Sequence, residues 1–170
     1  VYHRPTPIVN LPTVTLEEVQ HDPDLPTFPV TTDQLKAYVD AAHATDLKTR
    51  RSVTSTFICY GTAAIAYKCK LQPTVATSST EAEFLAVVLA AKMVRCLRMV
   101  LKELGYEEAE STCLYVDNWA TVDIVNDNRP TPRTRHVDIQ HFAVQEWRED
   151  GSIRLSHIPG TINCAAANTK

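Results

Sequence analysis

The chain has 170 residues, of which 44% are hydrophobic and 22% charged, and carries a net charge of -3 with a pI near 6.1. That balance fits one compact domain with an ordinary core, and it excludes a disordered or fibrous chain. The absence of a strong positive charge also excludes binding of nucleic acid through a global field, so any such partner must be held by a local basic patch.

Six of the ten prolines (Pro5, Pro7, Pro12, Pro23, Pro26 and Pro29) fall in the first 30 residues. Residues 1–33 therefore read as a linker or packing arm, and 34–170 as the folded domain. Three β-type segments follow, Leu35 to Asp40, Val53 to Tyr60 and Ala63 to Lys70, with Gly61 at the turn between the last two. From Thr80, apolar residues at 86, 90, 93, 97, 100, 101 and 104 keep helical spacing until Gly105. A strand from Thr112 to Asp117, a helix from Asn118 to about Asn126, a helix from about Thr134 to Asp150, a strand from Ile153 to Ile158 and the start of a helix complete the chain. This order predicts an α/β fold, a mixed sheet with helices on its faces. The chain begins at Val1 without methionine and stops within what reads as an unfinished helix, so a segment of a longer polypeptide is expected.

No apolar run approaches the roughly 18 to 20 residues of a membrane span, and no signal-peptide core follows the N-terminus. The expectation is a protein without a membrane partner that is not secreted. Its five cysteines (Cys59, Cys69, Cys96, Cys113, Cys164) are odd in number and contain no CxxC pair. They point to neither a disulfide framework nor a thiolate zinc site, and a reducing compartment follows.

Two apolar runs end on aspartate, Ala-Tyr-Val-Asp40 and Leu-Tyr-Val-Asp117. On neighbouring strands these carboxylates would emerge at one edge and could share hard divalent cations. Equally, Asp117 could cap the helix at Asn118 and Asp40 could open a loop. Glu83 forms a capping box with Thr80, and Glu81 forms one with Ser78, by spacing. Either glutamate could instead add a third oxygen ligand.

Six segments together resemble the ribonuclease H domain of copia-type retrotransposon polyproteins. They are Tyr-Val-Asp-Ala (38–41), Thr-Arg-Arg-Ser (49–52), Gln-Pro-Thr-Val-Ala-Thr-Ser-Ser-Thr-Glu-Ala-Glu-Phe (72–84), Val-Asp-Asn (116–118), Arg-Thr-Arg-His-Val-Asp-Ile (133–139) and His-Ile-Pro-Gly (157–160). The resemblance runs in order from about residue 35 to the end of the chain. It implies a ribonuclease H-like fold, with a five-stranded mixed sheet whose first three strands are antiparallel, and hydrolysis of the RNA strand of RNA/DNA hybrids with two Mg²⁺ ions, for which Mn²⁺ substitutes. It also implies a reverse transcriptase domain in the same polyprotein as a partner, and a place in a cytoplasmic virus-like particle or the nucleus.

By the same resemblance Asp40, Glu83 and Asp117 are metal ligands, Glu83 being preferred to Glu81 because Phe-Leu-Ala follows it into the core. The family's fourth carboxylate follows a Pro-Gly-x-x-Asn turn and an alanine. Here Pro159, Gly160, Asn163 and Ala165 match, and Ala166 stands where the aspartate is expected, so impaired cleavage follows. A non-catalytic hybrid-binding or tether domain is the alternative. Thr161 stands where many members carry a histidine, and that role does not pass to His157.

Ser79, Thr80 and Asn118 flank the carboxylates and could contact sugar or phosphate, or could serve only as caps and turns. Arg51, Lys68 and Lys70, with Arg50, would supply the basic patch, unless they are scattered surface charge. Arg133, Arg135 and His136 are a further phosphate candidate or a solvated helix start. Trp119 and Trp147 read as core or helix-packing residues rather than stacking platforms.

Overall fold

The computed structural model describes residues 34–126 and 135–169, so the proline-rich arm, Arg133 and Thr134 lie outside the described residues. Five strands form one sheet in the order β3-β2-β1-β4-β5, as the resemblance implies. The antiparallel meander consists of β1 (Leu35–Ala42), β2 (Val53–Tyr60) and β3 (Ala63–Leu71). β4 (Thr112–Val116) lies parallel to β1, and β5 (Ile153–His157) lies parallel to β4. Between β3 and β4 runs α1 (Ser79–Glu103), and between β4 and β5 run α2 (Trp119–Asn126) and α3 (Arg135–Glu149).

The core sits between α1 and one sheet face. Phe84, Val87, Ala91 and Val94 of α1 are buried with Ala37, Val39, Ile58, Leu114 and Val116 of the strands. Phe84 alone is 1% exposed, and burying a side chain of that size contributes about 1.5–3 kcal/mol. Arg95 extends the packing to α3, pairing with Asp150 at 2.7 Å and lying over the ring of Trp147, which packs against the core as expected. The opposite sheet face carries a smaller cluster of Tyr38, Cys59, Ile158 and Ala165, with Tyr38 stacked on Tyr115 at 5.2 Å.

Helix α1 starts one residue before Thr80 because Ser78 is its cap, accepting a hydrogen bond from the Glu81 N–H at 3.1 Å. It stops at Gly105, whose φ of +85° is the left-handed conformation in which glycine carries no Cβ penalty. There the Gly105 N–H donates to the Lys102 carbonyl, and the Tyr106 N–H reaches back to Leu101 at 2.8 Å, closing the last turn.

Beyond shifts of a residue at several ends, two differences from expectation bear on the site. β1 continues to Ala42, because Asp40, Ala41 and Ala42 still pair with Ser55, Thr54 and Val53 of β2. The expected final helix is instead two 3-10 turns, Gly160–Ile162 and Cys164–Asn168. Asn163 divides them with extended backbone at φ -76° and ψ 105°, its side chain accepting from the Ala165 N–H and donating to the Val39 carbonyl at 2.8 Å. Among the described residues no helix is long and apolar enough to cross a membrane.

Candidate metal centre

The parallel ladder between β1 and β4 ends with Val39 opposite Val116. Asp40 and Asp117 are the next residues along these neighbouring strands, so the two carboxylates emerge beside each other. Glu83, on the first turns of α1, joins them. One ligand atom from each of the three lies within 4.8 Å of the others.

Which glutamate turns inward is decided by capping. Glu81 reaches back to accept from the Thr77 N–H at 2.7 Å while its own N–H bonds the Ser78 cap, so its side chain is engaged at the helix start. Glu83 makes no cap. Its Oε1 accepts from the Ala41 N–H at 3.0 Å, and its Oε2 is buried without a hydrogen-bond partner among the described residues. Gln72 fixes this turn of the helix from the far side, donating to the Ala82 carbonyl and to the Thr54 hydroxyl at 2.9 Å each.

The site is electrostatically unfavourable without a cation. Burial, reinforced by the Asp40 carboxylate and, more weakly, by Asp117, pushes the Glu83 carboxyl up to about 8, against the opposing pull of the Ala41 N–H. Carboxylate oxygens of this kind suit a hard divalent cation, which would satisfy Glu83 Oε2 and offset the mutual repulsion.

The C-terminal turns hold the aspartates. A Cβ at Gly160 would lie 2.7 Å from Asp117 Oδ2, so only glycine lets the chain pass this close. The tie from Asn163 to the Val39 carbonyl fixes the strand immediately before Asp40. Ala166 is buried, and its carbonyl and the Asp40 carboxylate both lie within reach of the Thr169 hydroxyl, whose single proton serves one or the other. His157 Nε2 lies 3.1 Å from the Asp117 carbonyl oxygen, which requires a proton on that nitrogen.

The other candidates separate. Asn118 caps α2, its Oδ1 accepting from the Thr121 N–H at 3.1 Å, and Thr80 offers its carbonyl to the Thr121 hydroxyl. Ser79 is exposed at the mouth of α1, and Arg51 precedes β2. Lys68 and Lys70 are exposed on the edge strand, registered with Thr56 and Thr54, and so project from the sheet face opposite to Asp40, which is registered with Ser55. The side chains of Arg135 and His136 lie outside the described residues. Trp119 departs from expectation: it is 63% exposed rather than packed inside.

Sequence reasoning missed the work of Gln72, Gly160 and Thr169. The first two were visible as motif positions whose reason was hidden. Thr169 gave no signal, because its partner is 129 residues away.

No protein-family profile matches the chain. Its sequence is 33% identical over 136 residues to the retrovirus-related Pol polyprotein of transposon TNT 1-94 from Nicotiana tabacum, covering 80% of this chain and 10% of that polyprotein. It is 26% identical over 124 residues to the Pol polyprotein of transposon RE2 from Arabidopsis thaliana, covering 73% of this chain and 8% of the relative. The fold superposes on LC11-RNase H1 in complex with an RNA/DNA hybrid with a TM-score of 0.59 at 12% identity, covering 80% of this chain and 93% of the other. The chain belongs with the ribonuclease H domains of copia-type retrotransposon Pol polyproteins. The same fold occurs within a longer viral chain: the prototype foamy virus protease-reverse transcriptase superposes with a TM-score of 0.53 at 11% identity, over 84% of this chain and 20% of that one. This ribonuclease H domain spans about a tenth or less of the curated polyproteins it matches.

Proposed function

We propose that this ribonuclease H domain binds RNA/DNA hybrids and hydrolyses their RNA strand with divalent cations held by Asp40, Glu83 and Asp117, and that Ala166 makes the hydrolysis slow. The observation that carries the reading is the convergence of these three carboxylates, from β1, α1 and the end of β4, on one point of a ribonuclease H fold. Two Mg²⁺ ions, or Mn²⁺ in their place, fit the donor set. When bound, they would supply the positive charge that makes water a nucleophile at neutral pH and that offsets charge gathering on the phosphate and the departing oxygen.

The chain's own residues do the positioning. Asp40, braced by Thr169, and Asp117, passed closely by Gly160, present their oxygens from adjoining strands, and Glu83 faces them across the sheet edge. Asn118, its Oδ1 engaged in the cap, keeps its amide N–H groups for a sugar or phosphate, and Ser79 and Thr80 stand near the same edge. Arg50 and Arg51 would grip the backbone of one strand away from the ions, whereas Lys68 and Lys70, on the sheet face opposite to Asp40, would reach it only from beyond the edge strand. Residues 34–170 form the nuclease domain in this reading, 1–33 link it to a reverse transcriptase in the same polyprotein, and the site of action is a cytoplasmic virus-like particle or the nucleus. A non-catalytic hybrid-binding or tether role is the second reading, favoured by Ala166.

The chain should be incubated with labelled hybrid, single-stranded RNA and double-stranded DNA in Mg²⁺ and in Mn²⁺. Slow loss of the RNA strand from the hybrid alone, stopped by chelation and by Asp40→Asn, is the expected result. Equal cleavage of the DNA duplex would sink it, and hybrid binding without any cleavage would leave the tether reading.

Gly160→Ala is expected to lower Mn²⁺ affinity by roughly tenfold to 100-fold, because the added methyl displaces the Asp117 carboxylate. Calorimetric titration with Mn²⁺ checks this, with circular dichroism confirming that the fold is retained.

A further inference from the structure

Two positions after Asp117, α2 begins with the exposed ring of Trp119. Its indole lies on the imidazole of His157, with ring centroids 4.0 Å apart and planes 11° from parallel. His157 is in turn fixed at both ends: its backbone is registered with Val116 in the β4–β5 ladder, and its Nε2 is held by the Asp117 carbonyl oxygen at 3.1 Å. One face of the indole is therefore covered, and its 63% exposure must come from the other face and the ring edges.

A single exposed aromatic residue is ordinary. A tryptophan whose plane is set by a second ring, itself bonded to the backbone of a candidate ligand, is a preorganised surface. It lacks the snug surroundings of a packing residue, and it is flat, apolar and rigidly placed relative to Asp117. Flat aromatic faces beside phosphate-handling groups suit the sugar or base face of a nucleotide, which they accept with little regard to sequence.

We infer that the Trp119–His157 stack is a nucleic-acid contact, a platform that supports the nucleotide next to the one whose phosphate meets the carboxylates. This rests on the reading of the site as one that takes hybrid.

Binding of fluorescein-labelled hybrid and of DNA duplex by the full chain, its Trp119→Ala variant and its Trp119→Phe variant should be compared by anisotropy in Ca²⁺. Trp119→Ala is expected to weaken hybrid binding roughly tenfold, while Trp119→Phe, which keeps a flat ring, restores most of it. Equal hybrid affinity for the unsubstituted chain and Trp119→Ala would overturn the platform and leave the hybrid reading intact, as would a loss in Trp119→Phe as large as in Trp119→Ala. If the unsubstituted chain prefers DNA duplex and loses it through Trp119→Ala, the hybrid reading falls and the platform stands. A chain that binds neither duplex overturns both.

Discussion

Replacing Ala166 with aspartate is expected to raise Mg²⁺-dependent cleavage of the RNA strand by roughly 100-fold or more, since a fourth anionic ligand would help hold a cation whose charge stabilisation is worth several kcal/mol. The position is suited to the change. Ala166 lies in the turn Cys164–Asn168, and the Thr169 hydroxyl lies within reach of both the Ala166 carbonyl and the Asp40 carboxylate. The substitution also has a cost that can be measured. Ala166 is 5% exposed, and a fourth carboxylate buried near the others without a counter-charge destabilises the fold. The variant should therefore unfold at a lower temperature than the parent in EDTA and regain the difference in millimolar Mg²⁺. Time courses on labelled hybrid give the rate, and unfolding scans give the stability. Equal cleavage rates for parent and variant would remove position 166 from the mechanism.

Glu83→Gln should act in opposite directions on stability and on cation binding. The folded-state value of about 8 lies above the ordinary 4.5, so between these values the folded chain holds a proton that the unfolded chain has lost. Stability from this group is full below pH 4.5 and falls as pH rises towards about 8, by an amount of order 3–5 kcal/mol. Glutamine keeps an acceptor for the Ala41 N–H and removes the charge. In EDTA the parent should therefore lose thermal stability from pH 5 to 8 relative to Glu83→Gln, and the variant should be the more stable of the two at pH 8. The same group makes cation uptake by the parent at pH 7 release about one proton, because the ligand must ionise. Titration calorimetry in buffers of different ionisation enthalpy reads that proton, and Glu83→Gln should show weaker Mn²⁺ binding without it. A parent whose unfolding is as independent of pH as the variant's would refute the assignment.

The strands were legible because their content is β-branched and aromatic, and α1 because its apolar residues keep a helical period over 25 residues. The C-terminal segment was not: its small apolar residues carry no period, and Asn163, bonded to Val39, interrupts the helix that local propensity favours. Asp40 and Asp117 were legible as candidates from the strands they follow, but the ladder that sets them side by side is a tertiary fact. Glu81 and Glu83 both fit a capping box by spacing, and only the observed bond from the Glu81 N–H to Ser78 shows which residue is the cap. Trp119 was misread for a different reason. Aromatic content favours burial on average, and nothing local reports that α2 begins with its ring turned onto His157.

The parallel pairing of β1 with β4 has a consequence for how the domain comes to be. Residues 40, 83 and 117 meet only after the chain has run out along the meander, crossed back through α1 and laid β4 beside β1, and the tie from Asn163 to Val39 closes over 124 positions. Contacts of such separation pay their loop-closure entropy before any reward, so this domain folds slowly compared with a helical bundle of its size. A chain that stops before residue 117 lacks the complete carboxylate trio. Divalent cations held there as proposed would engage only the finished fold, and their concentration in the compartment of synthesis would set how firmly a newly made domain is trapped once it arrives.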